Sequence, residues 1–154
     1  MKLEKYIQKL CCFYASDWHL TVMLLPYINN KIEENSSIYM KCENSIEEKM
    51  NVLLNKLDIK NKRNIMNINW NNKVQEESND DNEKIFIVSG NDNYIENTNE
   101  IIEQYYKDKE VPVKIINCYE ISEQNNLNDI IHQKGYTQIL NTKGENKIDS
   151  KFYL

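Results

Sequence analysis

The sequence predicts an α/β fold of three layers: a mostly parallel sheet of about six strands with helices on both faces. Residues 10–15 are a continuous apolar run, as expected of a parallel strand covered on both sides. Several other segments carry apolar residues every three or four positions, which makes one face of a helix. The two kinds of segment alternate along the chain, and strand–helix–strand connections place their strands parallel.

After the first strand, Ser16 or Asp17 can cap a helix whose Leu20, Met23, Leu24, Tyr27, Ile28 and Ile32 share one face. Pro26 inside that pattern predicts a kink or a break. Residues 37–42 read as a second strand. Ser45 and Glu48 form a capping box, opening a helix with Ile46, Met50, Leu53, Leu54 and Leu57 inward. Residues 64–70 alternate in character and predict a third strand. Residues 71–83 are acidic with almost nothing to bury, and predict a flexible, solvated loop.

Residues 84–89 form the next predicted strand, ending in Ser89-Gly90-Asn91-Asp92. A helix over 92–107 follows, with Ile95, Ile101, Ile102 and Tyr105 inward. Residues 111–118 are a strand with Pro112 at its start, where a missing N–H is tolerated. Ser122 is the expected cap of a helix through Leu127, Ile130 and Ile131, stopped by Gly135. Residues 137–141 are the last predicted strand, and residues 145–154 are expected to fray. The two halves share this layout without a residue-level repeat.

At 154 residues, 40% hydrophobic and 28% charged, the whole of 1–154 suits one globular domain. The many Asn, Lys and Ile residues beside three Gly and two Pro fit AT-rich codon use. A net charge of −5 argues against direct nucleic-acid binding, which needs a basic stripe. No apolar run approaches the roughly 20 residues that span a bilayer, and the charged start lacks a secretory signal. A cytoplasmic location with reduced thiols is expected, and the adjacent Cys11 and Cys12 fit neither a CxxC metal site nor an easy disulfide.

Two signatures stand out. Near the start are Phe13-Tyr14, Leu25-Pro26-Tyr27 and Ile32-Glu33-Glu34; near the end are Cys118-Tyr119-Glu120, His132 and Ile139-Leu140. Over residues 10–58 and 113–144 the chain resembles the MEDS sensory domain of DcmR-type regulators. That family is similar to the RecA/KaiC ATPase core without its nucleotide-hydrolysing motif. The resemblance implies a non-catalytic sensory domain of signal transduction or transcriptional regulation, binding a small molecule or a regulatory protein partner, with a homodimer allowed. The family's first strand often begins with His, where this chain has Gln8-Lys9-Leu10, and its middle is longer than residues 71–106.

A phosphate-binding loop needs GxxxxGK[ST] after the first strand; Tyr14-Ala15-Ser16-Asp17-Trp18-His19 has neither Gly nor Lys, so no ATP hydrolysis is expected. Ligands of open parallel sheets bind at the carboxyl ends of the strands. That rule gathers Tyr14, Ser16, Asp17, Trp18, His19, Trp70, Cys118, Tyr119 and Glu120 as candidate ligand-binding residues, flanked by Cys42, Glu43, Ser89 and Asn91. Each aromatic among them can equally cap the core. No catalytic residue, metal or cofactor is assigned. A small enzyme using Cys118 with His19 or Asp17 is the alternative, and a pure protein-interaction module is another.

Overall fold

A computed structural model of the chain describes residues 6–70, 81–122 and 126–148. The elements are β1 (Ile7–Tyr14), α1 (Asp17–Glu33), β2 (Ser37–Cys42), α2 (Glu47–Lys56), α3 (Lys62–Met66), β3 (Asn69–Trp70), β4 (Lys84–Ser89), α4 (Asp92–Tyr106), β5 (Val113–Glu120), α5 (Leu127–Lys134), β6 (Gln138–Asn141) and β7 (Gly144–Lys147). They build one sheet in the order β3-β2-β4-β5-β1-β6-β7. Every neighbouring pair is parallel except β6–β7.

Alternation along each strand divides the core in two. Leu10, Cys12, Met40, Ile87, Ile116 and Cys118 face α1 and α2, meeting Leu24, Ile28, Met50 and Leu54. Cys11, Phe13, Phe86, Val88, Ile115 and Tyr119 face the other way, meeting Ile95 and Ile102 of α4 and Ile131 of α5. The three-layer α/β architecture is therefore present, with seven strands among the described residues.

Several elements differ from the sequence reading. α1 runs unbroken through Pro26. The capping box at Ser45 does not form: Ile46 occupies the cap, buried to 1% exposure, and the Ser45 hydroxyl accepts instead from the Glu47 N–H at 3.1 Å. Burial of Ile46 sets where α2 begins.

Of the strand predicted over 64–70, residues 64–66 end a short helix and only Asn69–Trp70 is strand. Ile65 is fully buried under the first core, and Asn61 Nδ2 donates to Asn29 Oδ1 of α1 at 3.0 Å, so the chain turns over and only two residues reach the edge of β2. On α4, Ile101 is 57% exposed and Tyr105 half-buried; the inward positions are Ile95, Asn99, Ile102 and Tyr106. The cap of α5 is Asn126, which accepts from the Asp129 N–H, and not Ser122; Gly135 ends the helix in the left-handed conformation, as expected.

The predicted tail contains a strand. β7 pairs back on β6, and Glu145 anchors it: Tyr27 donates to its Oε2 at 2.6 Å and Lys114 Nζ lies 2.8 Å from its Oε1. Of the predicted acidic loop, residues 71–80 lie outside the described residues. Glu83 at its end is fixed, accepting from Ser36 and pairing with Lys31 and Lys114. Residues 149–154 also lie outside the described residues.

Candidate functional site

Because β1 to β6 run parallel, their carboxyl ends share one edge. Register places Tyr14 opposite Glu120, and Cys42, Ser89, Cys118 and Cys12 in one row across four strands. Trp70 pairs with Met40, two residues short of the end of β2, so it does not reach that edge. It packs on the first core with its Nε1 buried and without a hydrogen-bond partner among the described residues.

Much of this edge satisfies itself. In the turn from β1 to α1, the Ala15 N–H donates to His19 Nδ1 at 2.8 Å, the His19 N–H to Ser16 Oγ, and the Leu20 N–H to the Ser16 carbonyl. Three N–H groups of the loop are thereby used internally. At β2–β4 the Glu43 carboxylate accepts from the Asn91 N–H at 2.9 Å, where α4 begins, so the anion at this helix N-terminus is the protein's own. Gly90 permits the approach: a Cβ there would lie 2.7 Å from Tyr94 and 2.9 Å from Glu43. Asp17 is half-buried, while Ser16, Trp18, His19 and Glu120 are exposed.

The sheet itself separates the predicted residues. Tyr14 and Cys118 belong to the face under α1 and α2, and Tyr119 to the face under α4 and α5. Cys118 is fully buried, and its contact with Cys12, then burial, hold its thiol well above 9.0. Burial also pushes the Cys42 thiol up to about 11 and Cys11 to about 12. Neutral, enclosed thiols are poor nucleophiles at neutral pH.

On the α4–α5 face, Tyr119 opens onto a groove of about 470 Å³. The floor of that groove is a polar chain inside an apolar layer. Asn99 of α4 and Asn117 of β5 exchange side-chain amide bonds of 2.8 and 3.0 Å. Asn117 Nδ2 also donates to the Tyr136 hydroxyl at 2.9 Å, and the Tyr136 and Tyr119 hydroxyls lie 2.7 Å apart. Burial raises both phenols, and the neighbouring Tyr136 raises Tyr119 further; hydrogen bonds with Tyr119 and Asn117 offset part of the rise at Tyr136, which stands at about 12, so both remain neutral donors and acceptors. The rim carries paired charges: Lys134 with Glu96 at 3.1 Å and Lys9 with Glu103 at 3.1 Å.

Of this group, sequence reasoning named only Tyr119. Asn117 is the one amide within the apolar strand Val113–Tyr119, and Asn99 lies on the buried stripe between Ile95 and Ile102. Both were visible as polar residues at core positions.

Among the described residues, no group of three or more His, Cys, Asp or Glu side chains could hold a metal ion, and no helix is long and apolar enough to cross a membrane. Fold and groove together define a three-layer α/β protein with a polar-floored pocket on one face. No family model, curated protein or solved structure matches the chain.

Proposed function

We propose that this chain is a non-catalytic sensory or adaptor domain that takes a small polar molecule into the groove between α4 and α5. The observation that carries the reading is the groove floor. Four neutral side chains, Asn99, Asn117, Tyr136 and Tyr119, form a continuous hydrogen-bonded chain beneath an open pocket. Amides and phenols offer donors and acceptors without charge, which suits an uncharged or zwitterionic polar ligand. The MEDS-like signatures around Phe13-Tyr14 and Cys118-Tyr119-Glu120 support a role in signal transduction or transcriptional regulation. The buried, neutral thiols support binding over Cys–His chemistry.

The test is a thermal-shift screen of small polar metabolites, followed by native mass spectrometry of the hits. Expected is a saturable rise in melting temperature that follows mass action and is weakened at least tenfold in Tyr119→Phe. Hits that bind Tyr119→Phe and Asn117→Ala as tightly as the parent would move the site elsewhere. Chemical conversion of a hit by pure protein would make the chain an enzyme.

A further inference from the structure

The polar floor of the α4–α5 groove has a fixed hydrogen-bond direction, and it ends in a donor. The Ile95 carbonyl can only accept, so the Asn99 amide turns its Nδ2 towards it and donates at 2.8 Å. Asn99 Oδ1 therefore faces Asn117 and accepts from Asn117 Nδ2 at 3.0 Å. Asn117 Nδ2 gives its second hydrogen to the Tyr136 hydroxyl oxygen at 2.9 Å. Beyond that point stand two phenols with a hydrogen each. Their mutual bond, 2.7 Å long, uses one of the two. Among the described residues nothing accepts the other. Whichever tyrosine keeps it, one O–H is left over on a pair that lines the groove, and Tyr119 is 4% exposed. A buried donor without an acceptor costs free energy that a ligand oxygen recovers.

The α4 wall of the groove carries an unmatched charge. Glu96, Glu100 and Glu103 stand at i, i+4 and i+7, on one stripe of the helix, and all three line the groove. The outer two are met from the other side. Lys134, at the end of α5, pairs with Glu96 at 3.1 Å, and Lys9 of β1 pairs with Glu103 at 3.1 Å. Glu100, between them, has no ion pair or hydrogen bond among the described residues. The lining thus holds three carboxylates against two lysines.

We propose that the ligand of this groove is a small zwitterion, an amino acid in the broad sense, with its ammonium on Glu100 and a carboxylate oxygen on the leftover phenol hydrogen. The inference rests on the reading that the groove takes a small polar molecule, and it names which kind. An uncharged molecule engages the phenol and gains nothing from Glu100. An anion is opposed by the carboxylates of α4. A plain amine engages Glu100 and leaves the floor donor unused. The zwitterion engages both, and each contact is then a charge-assisted hydrogen bond, stronger than a neutral one. The two flanking pairs show the same stripe holding lysine ammonium groups on either side of Glu100.

The experiment is a titration series on the full chain and on Glu100→Gln, read by melting temperature and by calorimetry. Glu100 is exposed, so the variant should keep the parent's melting curve. The probes are the common L-amino acids, β-alanine and γ-aminobutyrate. Each is tested beside its N-acetyl form, which removes the positive charge, and its carboxamide, which removes the negative one. Small sugars and polyols make the uncharged set. Expected is at least one zwitterion that raises the melting temperature saturably, and that binds about tenfold more weakly both as its N-acetyl form and on Glu100→Gln. Its carboxamide should lose less, because the amide oxygen still accepts from the phenol. A zwitterion held as tightly by Glu100→Gln as by the parent overturns the proposal. So does binding confined to the carboxamides, or to sugars and polyols. In those cases the groove reading stands and only the zwitterion falls. Absence of saturable binding from every set removes the groove reading and this inference together.

Discussion

Asn99 on α4 and Asn117 on β5 clasp each other through two amide bonds, 2.8 and 3.0 Å long, at positions 5% and 2% exposed. A helix is locked to a sheet by polar groups where an apolar pair would serve packing equally well. The clasp also orients Tyr136, and through it Tyr119, at the floor of the groove.

Breaking one half of the clasp strands the other. Asn117→Ala should cost about 1–3 kcal/mol, the penalty of leaving the buried Asn99 Oδ1 without its donor, while Asn99 Nδ2 keeps its bond to the Ile95 carbonyl. Asn99→Ala/Asn117→Ala should cost clearly less than the two single changes added. Urea unfolding of the four proteins measures the coupling. Strict additivity would mean that the amides do not support each other.

The β7 anchor makes stability depend on acid. Burial alone would raise the Glu145 carboxyl, but hydrogen bonds from Lys114 and Tyr27 and the charges of Lys114 and Lys31 hold it below the ordinary 4.5. A carboxyl lowered on folding stabilises the fold above its ordinary value and loses that contribution as pH falls through the folded value. Glu145→Gln should therefore be less stable than the parent at pH 7, with the gap closing as pH falls below 4.5. Urea midpoints across that range test it, and a gap unchanged by pH would refute the ionic role.

The thiols should be silent. Cys11, Cys12, Cys42 and Cys118 are all buried, and burial holds Cys11 at about 12 and Cys42 at about 11. Iodoacetamide at pH 8 should label none of the four in folded protein within an hour and all four in denaturant. Rapid labelling of Cys118 alone would revive a nucleophilic role beside His19.

Pro26 should be a cost to the fold. It interrupts the hydrogen-bond ladder of a helix that continues to Glu33. Pro26→Ala should raise stability by about 1–3 kcal/mol in urea unfolding. A loss instead would show that the helix backbone is shaped around the proline ring.

Most strands and helices were legible because their signals are local. The run Leu10 to Tyr14 is apolar at every position because the strand is covered on both faces, and Leu20, Met23, Leu24, Tyr27 and Ile28 repeat at the helical period. Parallel pairing followed from alternation, and with it the gathering of Tyr14, Cys118 and Glu120 at one edge. Other features depend on residues far apart in the chain. Ile65 reads as a strand residue until a core beside Asn29 draws it into a helix. The tail becomes β7 only because Tyr27 and Lys114 wait for Glu145, 118 and 31 residues away. Neighbours in sequence can also part: Cys118 and Tyr119 stand on opposite faces of the sheet. Composition and period are carried by each segment alone, so the sequence by itself determined most of the elements and the fold class. Which polar residues meet, and on which face, is set by strand order and register, and only the tertiary structure decided that Asn99, Asn117 and Tyr136 would join Tyr119.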